Sequence, residues 1–392
     1  IKTLPYHDEL KSFGACFGVS GGYERPMWFA LDGEKTEYEY SYNYQNWYPS
    51  AEYETNNTIK NVGLFDLTPF SKFEIKSNQA HRELQKICTS NIKNEIGKCV
   101  YTHMLNPDGG IETDLTVVCI DKDHFRIISS AATRERDKFH INKHLAKDVE
   151  LKDVTDDYCV FGVFGPKSRA LMKSISKDNF ENDNFRFSTA KYITIEGIKI
   201  WTQRLSYVGE LGYELYVKSE DAKKIYELLV NKGKNFNLSN CGMHAMDIMR
   251  MESGFLHWGH DISPEENQYQ AGLSFTISSK KEDEFIGKKA LEKIKKEKIK
   301  SRFAMFTLKD SKPGEPLLLH DEPIYLENKI IGRSTSGNYS FNFKKNLTFG
   351  YINNDISNDE LHKKDLFIEV EKKKYSIEVI NKPLKQTNFK NN

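Results

Sequence analysis

The chain has 392 residues, with 57 Lys plus Arg against 56 Asp plus Glu and a formal charge of +1. That length suits two or three compact domains rather than one, and a balanced charge argues against a general binder of nucleic acid or acidic membrane, which would carry a basic excess. A 38 % hydrophobic and 12 % aromatic share supplies packed cores and excludes wholesale disorder. No apolar run reaches the length needed to span a bilayer, and no secretory leader opens the chain. The six cysteines are scattered, with no C-x-x-C pair and no zinc-ligand spacing, so reduced thiols and a cytoplasmic setting are expected. The chain begins with Ile, as a processed protein or a piece of a longer polypeptide would.

Residues 1–50 are dense in aromatic rings but show little alternating or helical pattern. They read as an ordered, loop-rich lead segment packed on the body. A polar helix begins near Glu54, and residues 62–65 form a short buried strand ending at Asp66. Phe70-Ser-Lys-Phe-Glu-Ile-Lys alternates apolar and charged positions, as a half-buried strand does. Residues 79–89 are helical, 101–106 a strand, and Asp108-Gly109-Gly110 a tight turn. Residues 115–120 and 125–129 make a strand-turn-strand unit, 134–145 a helix, 158–164 a buried strand, and 167–174 a helix. Residues 193–201 form a hairpin turning at Glu196-Gly197. A strand at 213–217 and a helix at 222–232 follow, and 244–252 has helical spacing. Residues 288–300 are strongly charged and mark the main boundary, a solvated helix or linker. Beyond it, short strands at 303–308, 323–325, 329–331, 347–352, 366–370 and 374–379 predict a small antiparallel barrel. The tail 386–392 is polar and predicted to fray. Strands and helices without a regular βαβ alternation predict an α+β chain. With neither G-x-G-x-x-G after a strand nor a P-loop, no site for FAD, NAD or nucleotide phosphate is expected.

Three polar constellations stand out. In Tyr101-Thr-His-Met-Leu-Asn-Pro-Asp-Gly-Gly-Ile-Glu-Thr-Asp114, an acid opens an apolar strand, which is costly unless it is paired or lines a cavity. It either pins the hairpin or does chemistry. In Tyr207-Val-Gly-Glu210-Leu-Gly-Tyr-Glu214-Leu-Tyr216, a strand carboxylate sits among aromatic residues. That suits a heterocycle presenting several N–H donors, or equally an edge-strand acid facing water. In the third, Asp247 and Arg250 are spaced i,i+3, and an interior-leaning salt bridge closing the helix before Gly254 is the reading favoured over catalysis. His257 and His260 have no third ligand nearby and do not read as a metal site.

At these three segments the chain resembles the aminomethyltransferase family, the folate-dependent T-protein of the glycine cleavage system and its relatives. It is most similar to the branch forming the C-terminal half of dimethylglycine and sarcosine dehydrogenases. Gly14-Ala-Cys-Phe-Gly, Gly22-Tyr-Glu-Arg-Pro-Met-Trp-Phe29, Gly63-Leu-Phe-Asp66, Met104-Leu-Asn-Pro-Asp-Gly-Gly, Gly165-Pro-Lys-Ser-Arg169, Trp258-Gly-His-Asp-Ile and Thr335-Ser-Gly carry the resemblance in order. It implies a three-domain ring around a central tetrahydrofolate channel. The lead segment 1–50 would be followed by a folate-binding region of two subdomains at 51–287, the linker 288–300 and the barrel 301–385. By motif, Asp114 falls on the family's essential acid and Glu214 on the carboxylate that binds the pterin ring. Tyr207 and Tyr101 line the same pocket, with Met104, Phe255 and Ser130, which stands where T-proteins carry an Asn. T-proteins have an Arg at the position of Met246 and a Tyr at that of Phe255, and this chain has neither group. The resemblance implies one-carbon transfer to tetrahydrofolate from a small methylated amine such as dimethylglycine or sarcosine. A flavoprotein subunit or a missing N-terminal half would carry out the oxidation. Two alternatives are a stand-alone demethylase of a sulfonium such as dimethylsulfoniopropionate, and a non-catalytic folate-binding half of a flavin oxidoreductase.

Overall fold

The computed structural model describes residues 1–386 and 389–392. Two sheets lie at its centre. The first runs in the order Ala190–Ile195, Ile198–Gln203, Gly212–Lys218, Tyr158–Phe164, Val62–Asp66, Leu238–Cys241. It is antiparallel except where Leu238–Cys241 joins in parallel to Val62–Asp66. The second, antiparallel throughout, runs Cys99–Leu105, Ile111–Asp121, His124–Ser129, Ser71–Lys76, Leu151–Asp153.

Strand alternation gives each sheet two apolar faces with different partners. Leu215 and Val217 pack outward with Leu171, Met172, Ile225 and Leu229, from the helices Ser168–Ile175 and Ala222–Gly233. Leu115, Val117 and Cys119 pack outward on the other side, against Leu84, Ile87 and Ile141 of Ala80–Ile87 and Arg134–His144. The alternate residues, Val118 and Ile120 from one sheet and Phe164, Trp201 and Tyr216 from the other, share the layer between the sheets. Ala245, Met246 and Met249 of the helix Met243–Glu252 enter that same layer.

The C-terminal part is a closed barrel of six antiparallel strands in the order Ser301–Leu308, Lys345–Asn353, Lys329–Ser340, Pro323–Leu326, Leu366–Val370, Lys373–Ile380. The expected α+β chain ending in an antiparallel barrel is therefore what the chain forms. Lys329–Ser340 is far longer than the three residues its apolar pattern shows, because Ser334, Thr335 and Ser336 are buried by polar contacts rather than apolar ones.

Ser334 pairs with Glu322, while the contacts of Thr335 and Ser336 converge on Asp261, which is fully buried. Its Oδ1 accepts from the hydroxyls of Thr335 (2.6 Å) and Ser336 (2.8 Å), and its Oδ2 from Arg250 Nη1 (2.6 Å) and the His257 backbone N–H (2.9 Å). Tyr351 donates to its carbonyl at 2.7 Å. One aspartate thus ties the helix Met243–Glu252, the segment after it and two barrel strands together. Arg250 Nε also reaches Asp247 Oδ1 at 2.8 Å, the i,i+3 pair read from the sequence.

Three stretches differ from the sequence reading. The lead segment holds the helix His7–Ser12 and the hairpin Ala15–Ser20/Tyr23–Phe29 rather than loops. Its residues pack on both sides of the hairpin, so no single alternation shows. The helix predicted near Glu54 begins at Tyr48, with Pro at its first turn. The tail predicted to fray is held: Arg204 Nη2 donates to Asn392 O (2.8 Å), Arg169 Nη2 to the same oxygen (2.6 Å), and the Phe389 ring packs on Phe187 and Phe255. Thr387 and Asn388, part of that predicted tail, lie outside the described residues.

Removing the Asp261 carboxylate leaves a buried guanidinium, two hydroxyls and a backbone N–H without their acceptor. Asp261→Ala is expected to cost about 3–5 kcal/mol in urea denaturation. A loss below about 1 kcal/mol would remove Asp261 from this role.

Candidate functional site

The strand that carries Asp114 is aimed by the turn before it. Asn106 Oδ1 accepts from the backbone of Asp108 (3.0 Å) and Gly110 (2.9 Å). Gly109 has φ +88°, and a Cβ on Gly110 would lie 1.9 Å from the Pro264 carbonyl oxygen. The two glycines therefore let the turn press against the segment after the helix Met243–Glu252, where Trp258 Nε1 donates to Ile111 O at 3.0 Å.

From Ile111 onward, alternation assigns the faces. Thr113 and Leu115 look toward the helix-covered core, while Asp114 looks into the layer between the sheets. Its cross-strand partner is His103, so Tyr101 and His103, two apart, share its face. The Tyr101 hydroxyl lies 3.3 Å from Asp114 Oδ2 and 3.2 Å from His103 Nε2. Tyr101 is 38 % exposed, yet lost hydration pushes its hydroxyl pKa far up, with the Asp114 charge adding to it. Burial likewise raises the Asp114 carboxyl to about 6. The Tyr101 hydrogen bond opposes that rise and the nearby Asp137 charge adds to it.

Glu214 projects from the other sheet into the same layer. Its neighbours Tyr213 and Leu215 face outward, and Tyr216 shares its face. Gln203, its cross-strand partner, donates to Glu214 Oε2 at 3.4 Å and Tyr216 OH donates at 3.3 Å. Trp201 Nε1 holds the far side of the Gln203 amide at 3.3 Å. Burial raises the Glu214 carboxyl to about 7, against these two hydrogen bonds. Among the described residues neither Asp114 nor Glu214 is paired with a cation.

Tyr207 and Phe255 form a further wall. Their rings are near parallel, 6.1 Å apart between centroids, and Tyr207 OH donates to Leu256 O at 3.1 Å. Burial raises the Tyr207 hydroxyl far above its usual value, Arg250 opposes that rise, and the Asp247 and Asp114 charges add to it. Ser130 follows the strand beside Asp114, and its Oγ accepts from Ala132 N–H at 3.3 Å, capping a short helix. Met104 is not brought to this space. It is fully buried among Phe73, Leu84 and Leu115, because one step along the strand from His103 turns a side chain to the opposite face. His103, Gln203 and Tyr216 were missed in the sequence. Spacing two along the strand from Tyr101 and from Glu214 could have found His103 and Tyr216, but Gln203 depends on strand pairing.

The unfolded chain would lose the Glu214 proton near 4.5, whereas the folded chain keeps it to about 7. The folded state then holds a proton the unfolded state has released, so stability falls as pH rises through that window. Glu214→Gln is expected to raise stability at pH 8 by about 1–3 kcal/mol and to change it little at pH 4, read by urea denaturation at both pH values. Equal stabilities at pH 8 would contradict a desolvated carboxylate.

Comparison with known proteins adds an independent finding. The family described as GCVT N-terminal domain matches residues 6–281, and the Glycine cleavage T-protein C-terminal barrel domain matches residues 302–385. The chain is 36 % identical to 4-methylaminobutanoate oxidase (formaldehyde-forming) of Paenarthrobacter nicotinovorans, over 86 % of this chain and 41 % of that protein. It is 32 % identical to mitochondrial dimethylglycine dehydrogenase of Rattus norvegicus, over 94 % of this chain and 42 % of that protein. The aminomethyltransferase of Halothermothrix orenii is 31 % identical, over 77 % of this chain and 83 % of that protein. The chain thus spans about two fifths of the length of the first two. The crystal structure of glycine cleavage system aminomethyltransferase T from Bartonella henselae shares the fold, with TM-score 0.83 over 98 % of both chains at 20 % identity.

Proposed function

The chain belongs to the glycine cleavage T-protein (GCVT) aminomethyltransferase family, and from that premise we propose that it transfers a one-carbon unit from a small methylated amine, such as dimethylglycine or sarcosine, to tetrahydrofolate. The observation that carries the reading is the pair of cation-free, half-buried carboxyls, Asp114 and Glu214, raised to about 6 and about 7 on facing sheets. Perturbed acids turned from two sheets into one layer of apolar and aromatic side chains mark a candidate working site.

The residues present fit a reduced pterin. The heterocycle presents several N–H groups along one edge, and a carboxylate accepts two such bonds in one plane. Glu214 meets that need, with Gln203 and Tyr216 fixing its orientation. The rings of Tyr101, Tyr207 and Phe255 supply flat apolar surface to either side. Met104, buried on the other strand face, is left out of the proposed set, and Ser130 stays in it through its hydroxyl. Bound tetrahydrofolate would supply the nucleophilic nitrogen. Asp114 attracts the incoming cationic carbon and accepts the proton released from that nitrogen. With its carboxyl near 6, it is ionised at neutral pH yet basic enough to hold a proton briefly. The walls hold the partners in line and keep water out.

The methylated-amine donor is supported by the names of the two oxidising relatives, each of which acts on a methylated amine. The chain matches only two fifths of them, so we assign the oxidation to a flavoprotein half or subunit outside this sequence. Cytoplasmic action belongs to the same proposal; the finding behind it is only that no helix among the described residues is long and apolar enough to cross a membrane.

Incubation with tetrahydrofolate, each methylated amine and a matching flavoprotein oxidase, followed by mass analysis of the folate, tests this directly. One-carbon folate is expected from an amine donor only when the chain is present. Product from a sulfonium without any oxidant would overturn the amine reading. Asp114→Asn is expected to keep folate affinity and lose about 10²-fold or more in turnover. The acid limb of the wild-type pH profile should fall near 6, since the ionised carboxylate is the working form, and near-normal turnover in Asp114→Asn would end the assignment. Glu214→Ala is expected to weaken folate binding by about 10-fold or more by calorimetry, and an unchanged affinity would contradict its role.

A further inference from the structure

Behind Tyr101 lies a buried polar network that the proposed reaction does not use. His103 is fully buried, and lost hydration lowers its imidazole to about 3, so the ring is neutral. Its Nδ1 lies 2.9 Å from Thr276 Oγ1 and 3.1 Å from Gln268 Nε2. Counting hydrogens fixes the tautomer. Thr276 spends its hydroxyl hydrogen on Leu273 O (2.7 Å), and Thr89 spends its own on Thr276 O (3.0 Å). The two Gln268 amide hydrogens go to Thr89 Oγ1 (3.0 Å) and Thr276 Oγ1 (2.7 Å). With the hydrogens so placed, Thr276 Oγ1 offers a lone pair toward His103, and we assign the ring hydrogen to Nδ1. Turning the Gln268 amide over would set its carbonyl oxygen against the same nitrogen and leave that assignment unchanged.

His103 Nε2 is then a bare acceptor, and the group in front of it is the Tyr101 hydroxyl at 3.2 Å. That hydroxyl has one hydrogen and two claimants, because Asp114 Oδ2 lies 3.3 Å away on its other side. We infer that His103 is a positioning residue that sets the proton state of Asp114 through Tyr101. The single hydroxyl hydrogen points to Asp114 when that carboxylate is ionised, and turns to His103 Nε2 when the carboxyl holds a proton.

In the ionised state Tyr101 donates to Asp114, and His103 Nε2 goes without a donor. When Asp114 takes a proton, its new O–H donates to the Tyr101 oxygen, and the Tyr101 hydrogen swings to His103. Only the carboxyl gains a proton. Tyr101 and His103 keep theirs, and no other covalent bond changes. Because a buried acceptor left unpaired is costly, His103 favours the protonated carboxyl while Tyr101 favours the ionised one. The charged and titratable groups that bear on Asp114 are Tyr101, Asp137 of the helix Arg134–His144, and Tyr207. Tyr207 in turn feels Arg250, Asp247 and Asp261. The lowering at His103 itself comes from burial. Poised this way, Asp114 can take up and return a proton without leaving the phenol unpaired in either state.

The inference rests on the reading of Asp114 as proton acceptor, but its test needs no folate. In the full chain labelled with 15N-histidine, the His103 Nε2 shift is followed from pH 4.5 to 8, its resonance identified by its loss in His103→Gln. One step near 6 is expected although His103 itself stays neutral, and the step should vanish in Asp114→Asn and in Tyr101→Phe. A flat Nε2 shift in the wild-type chain overturns the proposal. By 13C carboxyl titration, the Asp114 pKa is expected to fall by roughly half a unit or more in His103→Phe, to recover toward wild type in His103→Gln, and to rise in Tyr101→Phe. Equal pKa values in the wild-type and His103→Phe chains also overturn it. Should His103→Phe fail to fold, the wild-type titration alone decides. An intact step in a chain that transfers no carbon to folate would defeat the proposed function and leave the switch standing. Turnover without the step would do the reverse.

Discussion

Two carboxyl groups stripped of most of their water, with no cation to pair them, impose the terms on which the middle of this protein is built. Ionising either acid is opposed by burial, so the proton of each is held to near neutrality. What eases ionisation is a few neutral donors: Tyr101 for Asp114, and Gln203 with Tyr216 for Glu214. A guanidinium in either place would have pinned the carboxylate in its charged form and removed it from proton chemistry. The cation is instead kept nearby, where Arg250 is held by Asp247 and Asp261.

That arrangement requires walls that do not yield. The acids sit on opposite sheets, so their separation depends on how the sheets are held. The shared apolar layer of Phe65, Val118, Val160 and Trp201 sets the spacing. The turn at Asn106, the segment around Trp258 and the Asp261 node brace one end of it against the barrel. The segment after the barrel returns to the same place. Lys385 lies against Glu210, its backbone N–H donates to Glu252 O at 2.8 Å, and Phe389 packs against Phe255. Residues from the turn at Asn106 to Phe389 thus fix the surroundings of a few polar atoms.

The network behind Tyr101 shows how a buried polar group can be tuned without charge. His103, Gln268, Thr89 and Thr276 are all buried and joined by hydrogen bonds, and each hydroxyl and ring hydrogen has an assigned acceptor. Such a set fixes its members in place because no water competes for them. Its free end faces the catalytic candidate rather than solvent.

The sequence by itself determined the α+β class, most strand and helix positions and the terminal barrel, and it singled out the two acids as candidates. These follow from local rules: alternation marks a strand, a glycine pair marks a turn, and a carboxylate inside an apolar strand is conspicuous because it is costly. The Glu196-Gly197 turn was legible because both residues take positive φ, which few residue pairs do readily. The ordered succession of motifs gave the family, later matched over residues 6–281 and 302–385. Tertiary structure alone decided which strand face each side chain takes relative to another sheet. It sent Met104 into the helix-covered core and set His103 beside Asp114. It also buried Thr335 and Ser336 of Lys329–Ser340 on a carboxylate some seventy residues away. It held the polar tail on two arginines, 188 and 223 positions away from Asn392. Local pattern reports how polar a residue is and how often it recurs. It does not report which distant donor will satisfy a buried acceptor, because that depends on the pairing of strands that only the folded chain brings together.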